Sequence, residues 1–233
     1  MLVSVITVTY NRSRFIPALI ECYKNQLYKH TEWLILDDSD PDEQVINEAL
    51  CSSVPSVQYI HNPVKHTLGH KLNQLMPMCK GDIIVVMDDD DYYPPTRISS
   101  VVDAFQKHPD IQIAGCSKVY MYFEAEDAIY SAGPYHDRHA IHCTIAYRSS
   151  YLKDHRYDDE EPCGVEKVLT NNFTEPMIQL DPRQTILHMV HQTNTFQGKR
   201  TIARLRKTTY TRDKLYPTPD PVHPFPRSPS TPC

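Results

Sequence analysis

The chain has 233 residues, 40% of them hydrophobic, and a formal net charge of -5 at pH 7. This length suits one α/β domain, and the negative charge excludes a general attraction to nucleic acid. The longest apolar stretches, residues 3–8 and 83–87, are far too short to cross a bilayer. The amino terminus lacks a basic region followed by an apolar run, so we expect a cytoplasmic protein.

The cysteines indicate a reducing environment. There are seven, irregularly spaced and without any Cys-x-x-Cys pair. An odd number with this spacing argues against a disulfide framework and against a zinc ribbon. We expect reduced thiols, most of them buried.

Strands and helices alternate over the first half of the sequence. Apolar runs predict strands at residues 3–9, 32–36, 57–61 and 82–87, and helical spacing or capping residues predict helices at 13–26, 42–50, 68–78 and 94–107. This order implies parallel strands joined by right-handed crossovers, with a ligand beyond their carboxyl ends. Residues 1–108 are therefore predicted to form a ligand-binding half.

The rhythm changes after Pro109. Further strands are predicted at residues 112–114, 119–123, 128–131, 141–147 and 185–191, and a short helix at 165–173. Most of these strands follow one another without an intervening helix. Residues 109–198 are therefore predicted to form a mixed or antiparallel portion.

A basic segment and a proline-rich tail follow. Residues 199–215 form a basic segment, predicted to be helical from about residue 201, and five of its basic residues cluster in 199–207: Lys199, Arg200, Arg204, Arg206 and Lys207. Such a cluster suits either a phosphate or a solvated face. Residues 216–233 alternate proline with polar residues, which favours an extended tail or linker. We expect one folded domain over 1–215, and the tail is consistent with a longer, multidomain chain.

Four consecutive aspartates, Asp88 to Asp91, follow the fourth predicted strand. Side chains alternate along a strand, so Asp88 and Asp90 share one face roughly 6 to 7 Å apart. Adjacent carboxylates repel by about 4 kcal/mol near a protein surface, so such a cluster needs a cation. Hard oxygen ligands suit Mg²⁺ or Mn²⁺. A solvated acidic turn is the alternative, which the preceding apolar strand and the following Pro94 disfavour.

Four motifs occur in a characteristic order over about the first hundred residues. They are residues 3–12 (VSVITVTYNR), 36–39 (LDDS), 69–73 (GHKLN), and 80–82 (KGD), the last leading into the aspartate run. Together they resemble the family-2-type glycosyltransferases of the GT-A fold. The resemblance implies a Rossmann-type α/β/α sandwich with a mostly parallel central sheet. In that fold, residues 1–108 are the nucleotide-binding half and residues 109–198 the acceptor side.

The resemblance also implies a site for a nucleotide-diphosphate sugar. The residues that correspond to its binding positions are Thr9, Tyr10, Arg12, Asp38, Lys71, Asn73, Asp88 and Asp89. The ring of Tyr10 would lie against the base, and Asp38 would accept a hydrogen bond from a uracil imide. Asp88 would approach the ribose. A UDP-sugar is therefore the expected donor.

The resemblance further implies that Asp90 and a histidine near the end of the domain hold Mn²⁺ or Mg²⁺. His191 is at the end of the last predicted strand and has the corresponding position. His188 lies three residues earlier and is expected on the opposite face of that strand. Four consecutive aspartates allow the metal-binding pattern to be shifted by one residue, so Asp91 remains an alternative ligand.

The acceptor side needs one carboxylate as general base. The resemblance implies that this base lies near the start of a helix that follows the mixed strands. Glu166 has that position, although Val165 replaces the acidic residue that usually precedes the base. The upstream acidic residues compete for the role: Asp158, Asp159, Glu160 and Glu161. His142 and Thr144 are predicted to face the acceptor, a glycan or another hydroxyl compound.

The expected function is metal-dependent transfer of a sugar to a hydroxyl group, with inversion, although a retaining mechanism stays open. A nucleotidyltransferase that makes a nucleotide sugar is one alternative, but it normally needs a glycine-rich loop after the first strand, and the six glycines offer none. A non-catalytic module that binds a nucleotide sugar or glycan is another. With a lipid-linked acceptor, the basic segment would contact the membrane peripherally.

Overall fold

The computed structural model describes residues 1–194 and 204–216. In its first half four strands alternate with four helices: β1 Val3–Thr9, α1 Ile16–Lys24, β2 Thr31–Asp37, α2 Pro41–Cys51, β3 Val57–His61, α3 Leu68–Leu75, β4 Ile83–Val86 and α4 Arg97–Lys107. The four strands pair in parallel. All eight elements lie where the sequence predicts them.

β1 lies between β2 and β4, and both of its faces are covered. Val5 and Trp33 belong to one apolar cluster with residues of α1 and α4, and Ile6 and Leu34 belong to another with residues of α3. Strands buried on both faces are expected to be almost continuously apolar, as β4 is. The predicted α/β/α arrangement is therefore confirmed.

The second half adds shorter elements: β5 Ile113–Gly115, β6 Val119–Phe123, β7 Ala128–Ala132, β8 Ala146–Arg148, α5 Glu166–Leu169, β9 Ile178–Gln179, α6 Pro182–Thr185 and β10 Leu187–Val190. The main sheet has the order β3-β2-β1-β4-β8-β5-β9, and β8 runs antiparallel to β4 and β5. A second sheet contains β10, β6 and β7. The predicted mixed portion is confirmed.

Three predicted elements of this half differ in the structure. The strand expected at residues 141–147 is a 3₁₀ turn, His142–Thr144, followed by β8. The helix expected at 165–173 ends with α5, because residues 171–173 all adopt a positive φ, between 47° and 59°. The strand expected at 185–191 is only β10, since Thr185 closes α6. Backbone turns that serve tertiary packing override the local pattern in each case.

The basic segment is not one helix in its described part. Arg206–Lys207 forms strand β11, which pairs antiparallel with β7, and only Arg212–Leu215, α7, is helical. Residues 199–203 and 217–233, which include Lys199, Arg200 and nearly all of the predicted tail, lie outside the described residues. In residues 1–194 and 204–216, no helix has the length and apolar character to span a membrane.

Candidate active site

A cavity of about 1350 Å³ opens beyond the carboxyl ends of the central strands. Thr9 ends β1, Asp88 follows β4, and Val190 ends β10, and all three line it. Most of the residues predicted for a site also line it: Thr9, Tyr10, Arg12, Lys71, Asp88, Asp89, Asp90, His142, Glu166 and His191. The order of strands in the sheet therefore brings together residues that are far apart in sequence.

Arg12 lies between two carboxylates of the aspartate run. Its Nη1 is 2.8 Å from Asp89 Oδ1 and 2.8 Å from Asp90 Oδ2. Thr9 Oγ1 donates to the other oxygen of Asp89 at 2.7 Å. Burial lowers the pKa of Arg12, but the charges of both aspartates outweigh that effect and raise it. The guanidinium therefore stays charged and compensates the buried carboxylates.

Asp90 is surrounded by donors. His191 Nε2 lies 3.1 Å and Asn194 Nδ2 3.2 Å from Asp90 Oδ2, and Phe15 packs against the imidazole with 4.8 Å between ring centroids. Burial by itself raises the pKa of Asp90, but hydrogen bonding from His191 and the charge of Arg12 lower it. Asp90 is therefore ionised at neutral pH.

Asp88 has a different environment. Its backbone N–H donates to the hydroxyl of Tyr93 at 2.6 Å, and its carboxylate lies 3.8 Å from His142 Nδ1. Burial, followed by the charges of Asp91 and Asp90, raises its pKa well above the usual value. Its side chain keeps 33% of its surface exposed and lines the cavity, so a hydroxyl donor or a cation there can stabilise the charged form.

Asp91 is completely buried and forms part of the framework beneath the cavity. It accepts a hydrogen bond from the backbone of Met189 at 2.8 Å and lies 2.9 Å from His188 Nδ1. His188 and His191 both line the cavity, although strict strand alternation would place them on opposite faces, and they pair with different aspartates, Asp91 and Asp90. The reason is that β10 ends at Val190, and His191 no longer follows the alternation of the strand.

Asp38 lies beneath the cavity and positions a lysine. Lys71 Nζ is 2.8 Å from Asp38 Oδ1, and both side chains are buried. The other carboxylate oxygen accepts from the backbone N–H of His66 at 2.7 Å. A direct bond from Asp38 to a base would therefore require one of these two bonds to be exchanged. Lys71 itself lines the cavity.

Tyr10 carries a cation on one ring face. Lys65 Nζ lies 3.7 Å from the centroid of the ring, and both residues line the cavity. Contacts of this kind stabilise by about 0.5–1 kcal/mol at exposed sites. Lys65, His66 and Asn194 are cavity residues that the sequence analysis missed. None of them stands in a motif, so no local signal identified them.

Asn73, Glu160 and Glu161 lie outside the cavity lining. The Asn73 amide donates to the backbone of Tyr157 at 2.9 Å and to Asp159 at 2.8 Å. Residues 158–161 cover the start of α3, where Gly69 N donates to Glu161 O and a Cβ at Gly69 would collide with Asp158. This loop therefore closes against α3 instead of facing the cavity.

Thr144 is also absent from the cavity lining. It is completely buried, donates to the carbonyl of Ile141 at 2.6 Å and accepts from the backbone of Cys116 at 2.9 Å. These bonds fix the 3₁₀ turn that carries His142. Burial lowers the pKa of His142 to about 4 despite the nearby Asp88. His142 is therefore neutral at physiological pH.

Asp90 and His191 form a donor set that fits a divalent metal. An ionised carboxylate and an imidazole nitrogen suit Mn²⁺ and related ions. Arg12 already places a positive charge 2.8 Å from Asp90, which shows that this point of the cavity favours a cation.

The profile described as "Glycosyl transferase family 2" matches residues 4–163 of the chain. The match covers more than half of the sequence and includes β1, β2, the aspartate run and His142. The chain belongs to glycosyl transferase family 2.

Two curated relatives agree with this assignment. A Haemophilus influenzae protein described as an uncharacterized glycosyltransferase is 29% identical over 110 residues, which are 47% of this chain and 36% of the relative. The putative colanic acid biosynthesis glycosyl transferase WcaA of Escherichia coli is 30% identical over 99 residues, 42% of this chain and 36% of the relative. The matches thus span about a third of each relative.

Solved structures share the fold. Staphylococcus aureus TarS, residues 1–349, in complex with UDP-GlcNAc, superposes with a TM-score of 0.69 at 16% identity, over 85% of this chain and 61% of that one. The mannosyltransferase PcManGT from Pyrobaculum calidifontis, in complex with GDP-Man and Mn²⁺, superposes with a TM-score of 0.62 at 14% identity. This match covers 83% of this chain and 58% of that one. The fold is the GT-A fold that the sequence predicts.

Proposed function

We propose that this chain is a metal-dependent glycosyltransferase that moves a sugar from a UDP-linked donor to an acceptor hydroxyl, with inversion. One observation carries the proposal. Thr9, Arg12, Asp89, Asp90 and His191 converge through hydrogen bonds of 2.7–3.1 Å on the cavity that Glu166 also lines. Sugar transfer needs positive charge at the diphosphate, a surface that binds the nucleotide and a general base. This cavity has residues suited to each of these roles.

The donor would lie along the β1 and β4 edge of the cavity. The Tyr10 ring would stack on the base, and Asp88 would accept from a ribose hydroxyl. The raised pKa of Asp88 supports this role, because a hydroxyl donor would stabilise the ionised form that desolvation and the neighbouring aspartates disfavour. Lys71, held by Asp38, and Lys65 would face the negative nucleotide. The nucleotide-sugar complexes of the fold neighbours support this donor class.

Asp90 and His191 would hold Mn²⁺ or Mg²⁺, and such an ion neutralises the negative charge of a leaving diphosphate. Arg12 would then move from Asp90 towards the phosphates, because two cations repel at this distance. Its planar guanidinium is suited to phosphate oxygens. Asp89 would keep its bond to Thr9 and anchor the end of β1.

Glu166 is the proposed general base. It stands at the first residue of α5 and lines the cavity together with Gly164 and His142. Its carboxylate would take the proton of the acceptor hydroxyl while that oxygen attacks the anomeric carbon. Neutral His142 would accept or donate a hydrogen bond to the same acceptor without adding charge.

A transfer and hydrolysis assay with a panel of UDP-sugars and GDP-sugars tests the proposal. We expect release of UDP from one UDP-sugar in the presence of Mn²⁺. Glu166→Gln should lower kcat about 10²–10⁴-fold without weakening donor binding. Glu160→Gln and Glu161→Gln are matched controls outside the cavity and should keep full activity. Donor binding without turnover under any condition would instead identify a non-catalytic nucleotide-sugar module.

A further inference from the structure

Three potential metal ligands meet beneath the cavity, beside the proposed Asp90 and His191 site. A carboxylate oxygen of Asp91, the thiol of Cys143 and a ring nitrogen of His188 all lie within 4.8 Å of one another. Asp91 and Cys143 are buried, and the His188 side chain is only 16% exposed. Cys143 and His188 line the cavity, so an ion has a route to them.

The spacing is close to that of a tetrahedral zinc centre. Zinc bonds of about 2.0–2.3 Å place neighbouring ligand atoms roughly 3.3–3.7 Å apart. Asp91 Oδ1 and His188 Nδ1 are already 2.9 Å apart. Bringing the thiol into the same shell from within 4.8 Å requires a movement of about 1 Å, which a cysteine rotamer provides.

The surrounding structure holds these ligands in place. Met189 N donates to Asp91 at 2.8 Å, which fixes the carboxylate. The Tyr93 hydroxyl lies 3.5 Å from the carbonyl of Cys143 and accepts from Asp88 N, so it ties the turn of Cys143 to the aspartate run. Groups that orient the ligands in this manner are a regular part of metal centres.

We propose that Asp91, Cys143 and His188 bind Zn²⁺ as a second metal site, with the fourth position open to the cavity. A thiolate is a soft ligand that selects zinc over Mn²⁺ and Mg²⁺, whereas Asp90 and His191 provide no sulfur. Binding displaces the thiol proton to solvent and leaves the ring proton of His188 on Nε2. The ion joins the aspartate run, the 3₁₀ turn and β10. The site goes beyond the proposed transfer and stands independently of it.

Co²⁺ is the probe, because it replaces Zn²⁺ and reports its ligands by absorption. Chelator-treated, reduced full-length protein is titrated anaerobically with Co²⁺. We expect a near-ultraviolet thiolate-to-cobalt charge-transfer band that saturates at one equivalent and disappears when Zn²⁺ is added. Zn²⁺ should also raise the Tm of the protein.

Variants assign the band to its ligands. Cys143→Ser should abolish it, and His188→Gln should weaken Co²⁺ binding at least about tenfold. Cys163→Ser, which removes another cavity thiol, and Asp90→Asn, which impairs the proposed Mn²⁺ site, should both retain it. Circular dichroism verifies that Cys143→Ser is folded. Absence of the band, or its survival in Cys143→Ser, would overturn the proposal, whatever the outcome of the transferase assay.

Discussion

Arg12 Nη1 lies 2.8 Å from Asp90 Oδ2, so a guanidinium directly contacts the carboxylate proposed to hold the divalent metal. The same nitrogen is 2.8 Å from Asp89 Oδ1. Both carboxylates are buried, and Arg12 is the cation that compensates them in the structure. Metal binding and Arg12 are therefore expected to substitute for one another in stabilising the aspartate run.

Arg12→Ala should lower the stability of the metal-free protein by about 3–5 kcal/mol, because it leaves buried carboxylates uncompensated. Mn²⁺ should then raise the Tm of the variant more than that of the unmodified protein. Thermal unfolding with and without Mn²⁺ measures both effects. Arg183→Ala is the matched control, since Arg183 pairs with Asp181 outside the cavity lining. Equal Mn²⁺ shifts in all three proteins would contradict this relationship.

His142 should make the stability depend on pH. Burial lowers its pKa to about 4 from the ordinary 6.5, so the native state keeps it neutral. Below pH 6.5 the unfolded chain takes up a proton that the native protein excludes until about pH 4. The contribution of His142 to the free energy of unfolding therefore has its full value above pH 6.5. It decreases by up to about 3 kcal/mol as the pH falls to 4.

Urea unfolding of the unmodified protein and of His142→Asn across this pH range isolates that contribution. Other groups titrate in both proteins, so the difference between the two curves belongs to residue 142. We expect the gap in unfolding free energy to change with pH between 6.5 and 4 and to be constant above 6.5. A constant gap throughout would show that the pKa of His142 is the same in the native and unfolded states, and would contradict the prediction.

Cysteine labelling should map the cavity. Burial raises the pKa of Cys22 and Cys51 to about 12 and that of Cys116 to about 11, so these thiols should resist iodoacetamide at pH 8. Cys163 is partly exposed and lines the cavity, so it should react. UDP with Mn²⁺ should slow its labelling. Peptide mapping by mass spectrometry identifies the modified residues, and labelling of Cys163 that UDP leaves unchanged would place the nucleotide elsewhere.

Much of the structure of residues 1–108 could be predicted because its signals are local. Apolar strands, helix spacing and the aspartate run are each read from neighbouring residues, and all eight predicted elements lie in place. The contact between Thr9 and Asp89, 80 residues apart, follows from the pairing of β1 with β4. The order of strands in the sheet is thus enough to bring these motifs together.

Residues 109–198 were less predictable because their structure depends on tertiary contacts. Thr144 looks like a strand residue, but its hydroxyl closes a 3₁₀ turn and binds the backbone of Cys116. Asn73 looks like a residue on the ligand side of a helix, but its amide holds the backbone of Tyr157. Both polar side chains satisfy backbone groups of segments distant in sequence, and such partners leave no local pattern.

The most direct test of the account is calorimetric titration of the purified chain with UDP, with and without Mn²⁺, repeated on Asp90→Asn. We expect UDP binding that Mn²⁺ strengthens and a variant that loses this dependence on Mn²⁺ but remains folded by circular dichroism. Asp110→Asn, on an exposed loop, is the matched control and should behave like the unmodified protein. If UDP does not bind under either condition, or if Asp90→Asn retains the full effect of Mn²⁺, the proposed donor and metal site is contradicted.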